Sequence, residues 1–240
     1  MSTAELLSIL VPVYNEAATV AAVIERLRTI DLPLARDIVV IDDGSSDGTR
    51  EVLDGLAQRD PSLTVIHAAR NAGKGAAIRL GLASARGTIV AIQDADLELD
   101  PAQLAVLVAP ILGGDTSVVY GSRFLAGWPS APIVTVMANV MLTGITNLLY
   151  RSRLTDMETC YKLMRTDIAR ALRLESNRFD IEPEITAKLL RSGRAILELP
   201  VRYEPRDRDH GKKIKWRDGV EAVRVLIRHR FSRPQANSGA

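Results

Sequence analysis

The sequence predicts an α/β fold in which helices cover both faces of a mostly parallel β-sheet. One observation is the alternation of strand and helix patterns through the first 96 residues. Another is that polar residues follow three of the predicted strands, where a parallel α/β sheet has its ligand crevice. With 240 residues, 47% apolar and 25% charged, the chain also suits a soluble domain with a sizeable core.

The N-terminal half predicts four strands separated by three helices. Short apolar runs bounded by turn residues predict the strands, at residues 6–14, 37–42, 63–68 and 88–96. Apolar residues at helical spacing predict the helices, at residues 16–30, 47–60 and 73–86. Asp47 opens the second helix and is expected to be its N-cap.

The C-terminal half is less regular. It predicts strands at residues 117–124 and 195–206, and helices at residues 177–193 and 216–231. Residues 131–150 form a charge-free stretch of twenty residues, long enough in principle to span a bilayer. Pro132, two asparagines and three threonines within that stretch favour an amphipathic or interfacial helix pair instead.

Charge is unevenly distributed, although the net charge is only +2. Residues 202–233 hold eleven Lys and Arg against five Asp and Glu, which predicts contact with phosphates or with an anionic surface. A solvated basic helix is the alternative. Cys160 is the single cysteine, so an internal disulfide is excluded and a reducing compartment is expected. The short polar stretch before Leu6 predicts no signal peptide.

Polar residues cluster where three predicted strands end. They are Asn15 and Glu16 after the first strand, Asp42 and Asp43 at the end of the second, and Asp94 and Asp96 at the end of the fourth. An aspartate at a strand end often only caps a turn. Three such ends at one edge of a parallel sheet are harder to explain by turn chemistry, and they predict a ligand site there.

The "DAD" stretch, residues 94–96, places two carboxylates one residue apart. On an extended segment the two side chains point the same way. Paired carboxylates suit Mg²⁺ or Mn²⁺, and Mg²⁺ commonly adds the oxygens of a bound diphosphate. A three-residue motif also occurs by chance.

The "NAGKG" stretch, residues 71–75, opens the third helix. Its backbone amides and Lys74 are placed to face an anion. An ordinary strand–helix turn explains the same residues. The sequence contains neither a Walker P-loop nor a dinucleotide-binding fingerprint.

Together these segments resemble a known family. "VPVYNEAATV", "IVVIDDGSSDGT", "NAGKGAAIRLGLASARG" and "QDADLELDP" resemble the inverting family 2 glycosyltransferases of the GT-A fold. "YGSRF", "LTDMETCYKLMR", "NRFDIEPEITAKL" and "EPRDRDHGKKIKWRDG" resemble the polyprenyl-phosphate glycosyltransferases, which include the dolichyl-phosphate glucose and mannose synthases. The resemblance extends over residues 6–225 and implies transfer of a sugar from a nucleotide-sugar to a lipid phosphate.

The resemblance also implies roles for individual residues. The implied nucleotide-sugar contacts are Pro12, Tyr14, Glu16, Asp43, Lys74, Asp94, Ala95 and Asp96. Asp96 and Glu98 are implied to hold Mg²⁺ or Mn²⁺; Glu98 stands where the mannose synthases often have Gln. The implied phosphate and acceptor contacts are Arg123, Arg206 and Lys212. Asp156 matches a carboxylate near the reacting centre and is expected to be a base or an orienting group.

The expected organisation is one GT-A domain over residues 1–230, followed by a disordered tail at 231–240. Residues 1–120 form the nucleotide-sugar half and residues 121–230 an acceptor-side elaboration. UDP-glucose is the favoured donor and GDP-mannose the second. A protein without membrane helices after residue 216 would meet its acceptor as a peripheral protein on the cytoplasmic face of the membrane. No nucleic-acid contact is expected, and the oligomeric state is open. The alternatives are a soluble or glycan acceptor, and an inactive nucleotide-sugar-binding protein.

Overall fold

The computed structural model describes residues 5–205 and 216–232. Within them, seven strands form one sheet, in the order β3-β2-β1-β4-β6-β5-β7. The strands are β1 (Leu6–Val13), β2 (Ala35–Asp42), β3 (Thr64–His67), β4 (Ile89–Ile92), β5 (Val118–Ser122), β6 (Lys162–Arg165) and β7 (Leu197–Pro200). The helices are α1 (Val20–Thr29), α2 (Thr49–Arg59), α3 (Lys74–Ser84), α4 (Leu104–Leu112), α5 (Ile133–Tyr150), α6 (Thr166–Ala171), α7 (Ile181–Arg191) and α8 (Trp216–Phe231).

The sheet is mostly parallel, as the sequence predicts. β1 pairs in parallel with β2 on one side and with β4 on the other, and β2 pairs in parallel with β3. β6 is the exception, since it runs antiparallel between β4 and β5. The chain order therefore reverses at β1, and the carboxyl ends of β1, β2 and β4 meet at the edge where an α/β sheet binds its ligand.

Helices cover both faces of the central strands. Ile9 and Leu10 are successive residues of β1 that point to opposite faces, and neither is more than 1% exposed. α3 lies against β1 and β2 so closely that a Cβ added at Gly81 would stand 2.6 Å from Ile41 Cδ1. The apolar run of each central strand follows from this double burial.

Several predicted elements differ in the structure. Residues 131–150 do not form a helix pair; Ile133–Tyr150 is one continuous helix. β4 ends at Ile92, so residues 94–96 are not extended, and residues 95 and 96 form a turn. Gly48, with φ +94°, is the N-cap of α2, while Asp47 Oδ1 accepts a hydrogen bond from Thr49 N at 3.1 Å.

The C-terminal helix matches its prediction, and α8 continues through Phe231. The first residue of the predicted tail is therefore helical. Residues 233–240, which make up most of that tail, lie outside the described part of the chain. β6 was not predicted: its four residues, "KLMR", start and end with a charge and show no strand pattern.

At the amino-terminal edge of the sheet, Asp37 ties three segments together. Its carboxylate accepts hydrogen bonds from Ser8 Oγ at 2.8 Å, Arg86 N at 3.2 Å and Arg86 Nη2 at 2.6 Å. Burial by itself would raise the pKa of Asp37, but the hydrogen bonds from Arg86 and Ser8 outweigh it and hold that pKa below the ordinary 3.8.

We predict that Asp37→Asn lowers the free energy of unfolding by about 2 kcal/mol at neutral pH, because a buried charged acceptor is lost. A lowered carboxyl pKa stabilises the fold above the unfolded value of 3.8, and this contribution disappears as pH falls through the folded pKa. The difference between wild type and variant in urea unfolding should therefore shrink below about pH 4. Asp31→Asn, at an exposed position, is the control; an equal loss in both variants would contradict the assignment.

Candidate active site

At the carboxyl edge of the sheet, β1 extends beyond the end of its pairing with β4. The β1–β4 register ends at Leu10 opposite Ile92, whereas the β1–β2 register continues to Val13 opposite Asp42. The backbone oxygen of Leu10 accepts a hydrogen bond from Gln93 N at 3.0 Å. Because backbone groups alternate in direction along a strand, the backbone of Pro12 faces the same side as that of Leu10. Proline has no N–H to donate, so the ladder stops there, at the edge where a parallel α/β sheet is expected to have its ligand crevice.

The segment after β1 is bonded to both neighbouring strand ends. Asn15, with φ +53°, accepts Ser46 N at 2.8 Å, and Glu16 N donates to Thr49 Oγ1 at 2.9 Å. Thr19 Oγ1 lies 2.7 Å from Ala95 O and 2.9 Å from Glu16 Oε2. Thr19 thus brings together Glu16 and Ala95, two of the predicted contacts of the nucleotide-sugar. Tyr14, two residues before Glu16, is partly buried.

Asp42, the last residue of β2, and Asp43, which follows it, mainly shape the backbone around them. Asp43 accepts hydrogen bonds from Ala72 N at 2.9 Å and Gly73 N at 2.7 Å, which fixes the turn into α3. Asp42 accepts Ser45 N at 2.9 Å and lies 2.9 Å from His67 Nδ1. Both carboxylates are buried, so the turn-forming interpretation of this pair accounts for the contacts observed.

Lys74 lies in a chain of alternating charges whose inner members, Glu182 and Lys162, are buried. Its Nζ is 2.8 Å from Asp94 Oδ1 and 2.9 Å from Glu182 Oε1. Glu182 Oε2 in turn lies 2.5 Å from Lys162 Nζ, which also donates to Met157 O at 3.0 Å. Burial would lower the pKa of Lys74, but attraction by Asp94 and Glu182 outweighs it and raises that pKa well above 10.5. Lys74 therefore stays charged and neutralises Asp94.

Two further carboxylates follow in the turn after β4. Asp96 Oδ1 accepts Glu98 N at 3.1 Å, and Glu98 Oε2 accepts the hydroxyl of Tyr203 at 2.9 Å. Among residues 5–205 and 216–232, no group of three or more His, Cys, Asp and Glu side chains is arranged to hold a metal ion. Two hard oxygen donors fit Mg²⁺ or Mn²⁺ only when substrate oxygens and water complete the coordination.

Arg123 and Asp156 form a bidentate ion pair at the end of β5. Arg123 Nε lies 2.7 Å from Asp156 Oδ2, and Nη2 lies 2.8 Å from Oδ1. Asp156 is fully buried, and its own N–H donates to Glu198 Oε1 at 3.0 Å. Burial would lower the pKa of Arg123, but Asp156 raises it, so the guanidinium remains charged. Both oxygens of Asp156 are used to orient Arg123.

Three residues of this site were missed by the sequence analysis: Lys162, Glu158 and Tyr203. Lys162 is fully buried in β6, and because that strand was not predicted, no sequence pattern indicated that this lysine is buried. Glu182 was not among the predicted site residues either, yet its carboxylate bridges two lysines. Arg206 and Lys212 lie outside the described residues, so the structure places neither of them.

Comparison with known proteins agrees with this geometry. The family model described as "Glycosyl transferase family 2" matches residues 8–174. The chain belongs to glycosyl transferase family 2. The match covers the crevice, the turn after β4 and the Arg123–Asp156 pair, so these features lie within the family's shared domain.

Two of three similar relatives of this glycosyltransferase have names that mention a polyprenyl phosphate. Undecaprenyl-phosphate mannosyltransferase of Micrococcus luteus is 31% identical over 215 residues, covering 85% of each chain. Dodecaprenyl-phosphate galacturonate synthase of Rhizobium johnstonii is 28% identical, over 85% of this chain and 60% of the relative. Glycosyltransferase AglD of Haloferax volcanii is 29% identical over 83% of this chain, which corresponds to only a third of AglD.

Solved structures show the same fold. Glucosyl-3-phosphoglycerate synthase from Mycobacterium tuberculosis, in complex with Mn²⁺, UDP and phosphoglyceric acid, superposes with a TM-score of 0.72. The superposition covers 96% of this chain and 80% of the synthase at 20% identity. At that identity the likeness establishes the GT-A fold of the glycosyltransferase, as the sequence predicted.

We predict that Lys162→Met destabilises the glycosyltransferase by about 3–5 kcal/mol, because it leaves part of the Glu182 charge buried without a partner. Arg224→Met removes an ion pair on the surface, where Arg224 is 72% exposed, and should change the free energy of unfolding by less than about 1 kcal/mol. Urea titration of both variants measures the difference. Equal, small losses would show that the charge chain does not hold the site together.

Proposed function

We propose that the protein is a metal-dependent, inverting glycosyltransferase that moves a hexose from a nucleotide-sugar to a polyprenyl phosphate at a membrane surface. UDP-glucose is the favoured donor and GDP-mannose the second. The observation that carries the acceptor assignment is an exposed apolar helix face, α5, joined directly to the loop that contains Asp156. The names of the Micrococcus and Rhizobium relatives agree with a lipid phosphate as acceptor. The protein would act as a peripheral protein on the cytoplasmic face.

On the donor side, the crevice beside Pro12, Tyr14 and Glu16 would receive the nucleoside. Asp94 is held by Lys74, so it is a fixed, neutralised acceptor for hydroxyl or amide groups of the nucleoside. Asp96 and Glu98 would hold Mg²⁺ or Mn²⁺, which offsets the negative charge that develops on the leaving diphosphate. The synthase from M. tuberculosis has been crystallised with Mn²⁺ and with Mg²⁺, each alongside UDP.

On the acceptor side, positioning replaces strong base catalysis. A phosphate monoester is already anionic near neutral pH, so its attacking oxygen needs orientation and charge compensation. Arg123 supplies a fixed positive charge, because Asp156 holds its guanidinium in a bidentate contact. We therefore assign Asp156 as a positioning residue for Arg123 rather than as the base.

Many of the apolar side chains of α5 are on its exposed side, facing away from the rest of the protein. Its exposed residues all lack charged or hydrogen-bonding side chains: Ile133, Val134, Met137, Ala138, Val140, Met141, Gly144 and Leu148. Val134 is 77% exposed and Leu148 82% exposed, whereas Thr143 and Thr146 are buried. A helix on a water-facing surface has the opposite pattern. This face of α5 therefore suits the acyl boundary of a bilayer, which accepts apolar side chains.

The same helix supports the site. Thr143 Oγ1 accepts Met157 N at 3.1 Å, and Asn147 Oδ1 accepts Leu154 N at 2.9 Å. Among the described residues, α5 is the one helix long and apolar enough to cross a bilayer, with 22% of it buried against the protein. Exposed Arg151 and Arg153 follow it directly and would meet anionic headgroups. A lipid phosphate arriving at this surface is thus beside the loop that orients Arg123.

We predict that the protein, given Mn²⁺, a short polyprenyl phosphate and a panel of nucleotide-sugars, forms a lipid-linked hexose detectable by mass. Asp96→Ala should lower the rate about 100-fold or more, because stabilisation of the leaving diphosphate is lost. Asp115→Ala, at an exposed position away from the rim, is the matched control. If the hexose is transferred to added 3-phosphoglycerate but not to the lipid, the acceptor assignment is wrong. A near-normal rate for Asp96→Ala would refute the metal assignment.

We predict that the protein sediments with vesicles containing anionic lipid, and that Val134→Glu with Leu148→Glu weakens partitioning about tenfold or more by removing apolar insertion. Val106→Glu, on α4 and 63% exposed, controls for added charge. Raising the salt concentration should weaken the electrostatic part of binding. If the wild type stays in the supernatant at low salt, the membrane assignment is wrong.

A further inference from the structure

Glu158 lies at the site although it was not among the predicted site residues. Its loop leads into β6, and because β6 is antiparallel, the loop returns to the carboxyl edge of the sheet. Tyr161 donates its hydroxyl to Gln93 Oε1 at 2.7 Å, and Thr159 Oγ1 donates to Gly121 O at 2.6 Å. These two bonds fix the loop between the ends of β4 and β5, with Asp94 on one side and Arg123 on the other.

Unlike the loop residues beside it, Glu158 has an unsatisfied oxygen. Its Oε1 is shielded from solvent and has no hydrogen-bond partner in the described part of the chain. Asp156, two residues earlier, has both oxygens bonded to Arg123. Buried polar atoms without a partner are rare in folded proteins, and one among the residues of this site requires an explanation.

The charges around Glu158 restrict what a ligand of that oxygen can be. Burial, with Glu182 and Asp156, raises the pKa of Glu158 to about 7, against the opposing effect of Lys162 and Arg123. Both nearby cations already have carboxylate partners, Lys162 with Glu182 and Arg123 with Asp156. A phosphate oxygen in direct contact with Glu158 Oε1 would be repelled by that carboxylate, whereas a neutral hydroxyl donates a hydrogen bond to it without repulsion.

We propose that Glu158 is a sugar-binding residue, whose carboxylate accepts a hydrogen bond from a hydroxyl of the hexose that the enzyme transfers. The assignment rests on the proposed function, because the hexose is the hydroxyl-bearing part of the donor that the diphosphate brings to the reacting centre. It separates the recognition of the sugar, by Glu158, from the recognition of the nucleotide, by the β1 crevice. Glu158 then contributes to the choice between hexoses.

The test compares each nucleotide-sugar with its own bare nucleotide on the same variant. Binding of UDP-glucose, UDP, GDP-mannose and GDP is measured by calorimetry with Mn²⁺ present, for wild type, Glu158→Ala and Glu158→Gln. Glu158→Ala should weaken the nucleotide-sugar about tenfold while leaving the bare nucleotide within about twofold, since one charge-assisted hydrogen bond is lost. Glu158→Gln keeps an acceptor oxygen, so its affinity for the nucleotide-sugar should lie between those of the wild type and Glu158→Ala. Glu25→Ala, with its side chain 64% exposed, is the control.

Deoxy analogues of the bound nucleotide-sugar identify the hydroxyl. The analogue that lacks the contacting hydroxyl should bind wild type and Glu158→Ala about equally, whereas other analogues should keep the difference. The proposal is overturned if Glu158→Ala has the same ratio of nucleotide-sugar affinity to bare-nucleotide affinity as the wild type. The result would be clearest if the KM for the acceptor rose in that variant instead. If the wild type binds none of the four ligands, the proposed function fails, and the role of Glu158 fails with it.

Discussion

The site depends on a chain of alternating charges that runs from a partly exposed Asp94 through Lys74 to the buried Glu182 and Lys162. Charges removed from water are tolerated only when each one has a partner in good geometry. The four partners belong to the turn after β4, the first residue of α3, the start of α7 and the first residue of β6. Satisfying all four at once holds those elements in one arrangement, and the rim of the sheet is the result.

In that arrangement, the carboxylates at the rim have different contacts and therefore different roles. Asp43 and Asp42 are bonded to the backbone and to His67, and they shape turns. Asp94 is neutralised by Lys74, and Asp96 and Glu98, in the following turn, are the pair that we propose for a hard cation.

The loop between α5 and β6 connects the two halves of the proposed reaction. One side of it is anchored by Thr143 and Asn147 of the apolar helix, and the other reaches the sheet through Tyr161 and Gln93. Asp156, which orients Arg123, lies between these anchors. A lipid phosphate approaching along α5 and a sugar held beyond β4 would therefore meet at one short segment, and its rigidity would set the distance between them.

Local patterns in the sequence were sufficient for the first four strands, the three helices between them and α8, because hydrophobic periodicity and turn residues act over a few neighbouring positions. They also marked the rim, since polar groups at strand ends are visible in the chain. The continuity of α5, the reversal of β6 and the buried partners of Asp94 and Asp156 were not readable in this way. The Lys74–Asp94 and Arg123–Asp156 pairs join residues 20 and 33 positions apart, and Lys162 reaches Glu182 across another 20. Such pairs form only after packing has excluded water, so their energy comes from the folded environment and not from any local stretch of residues.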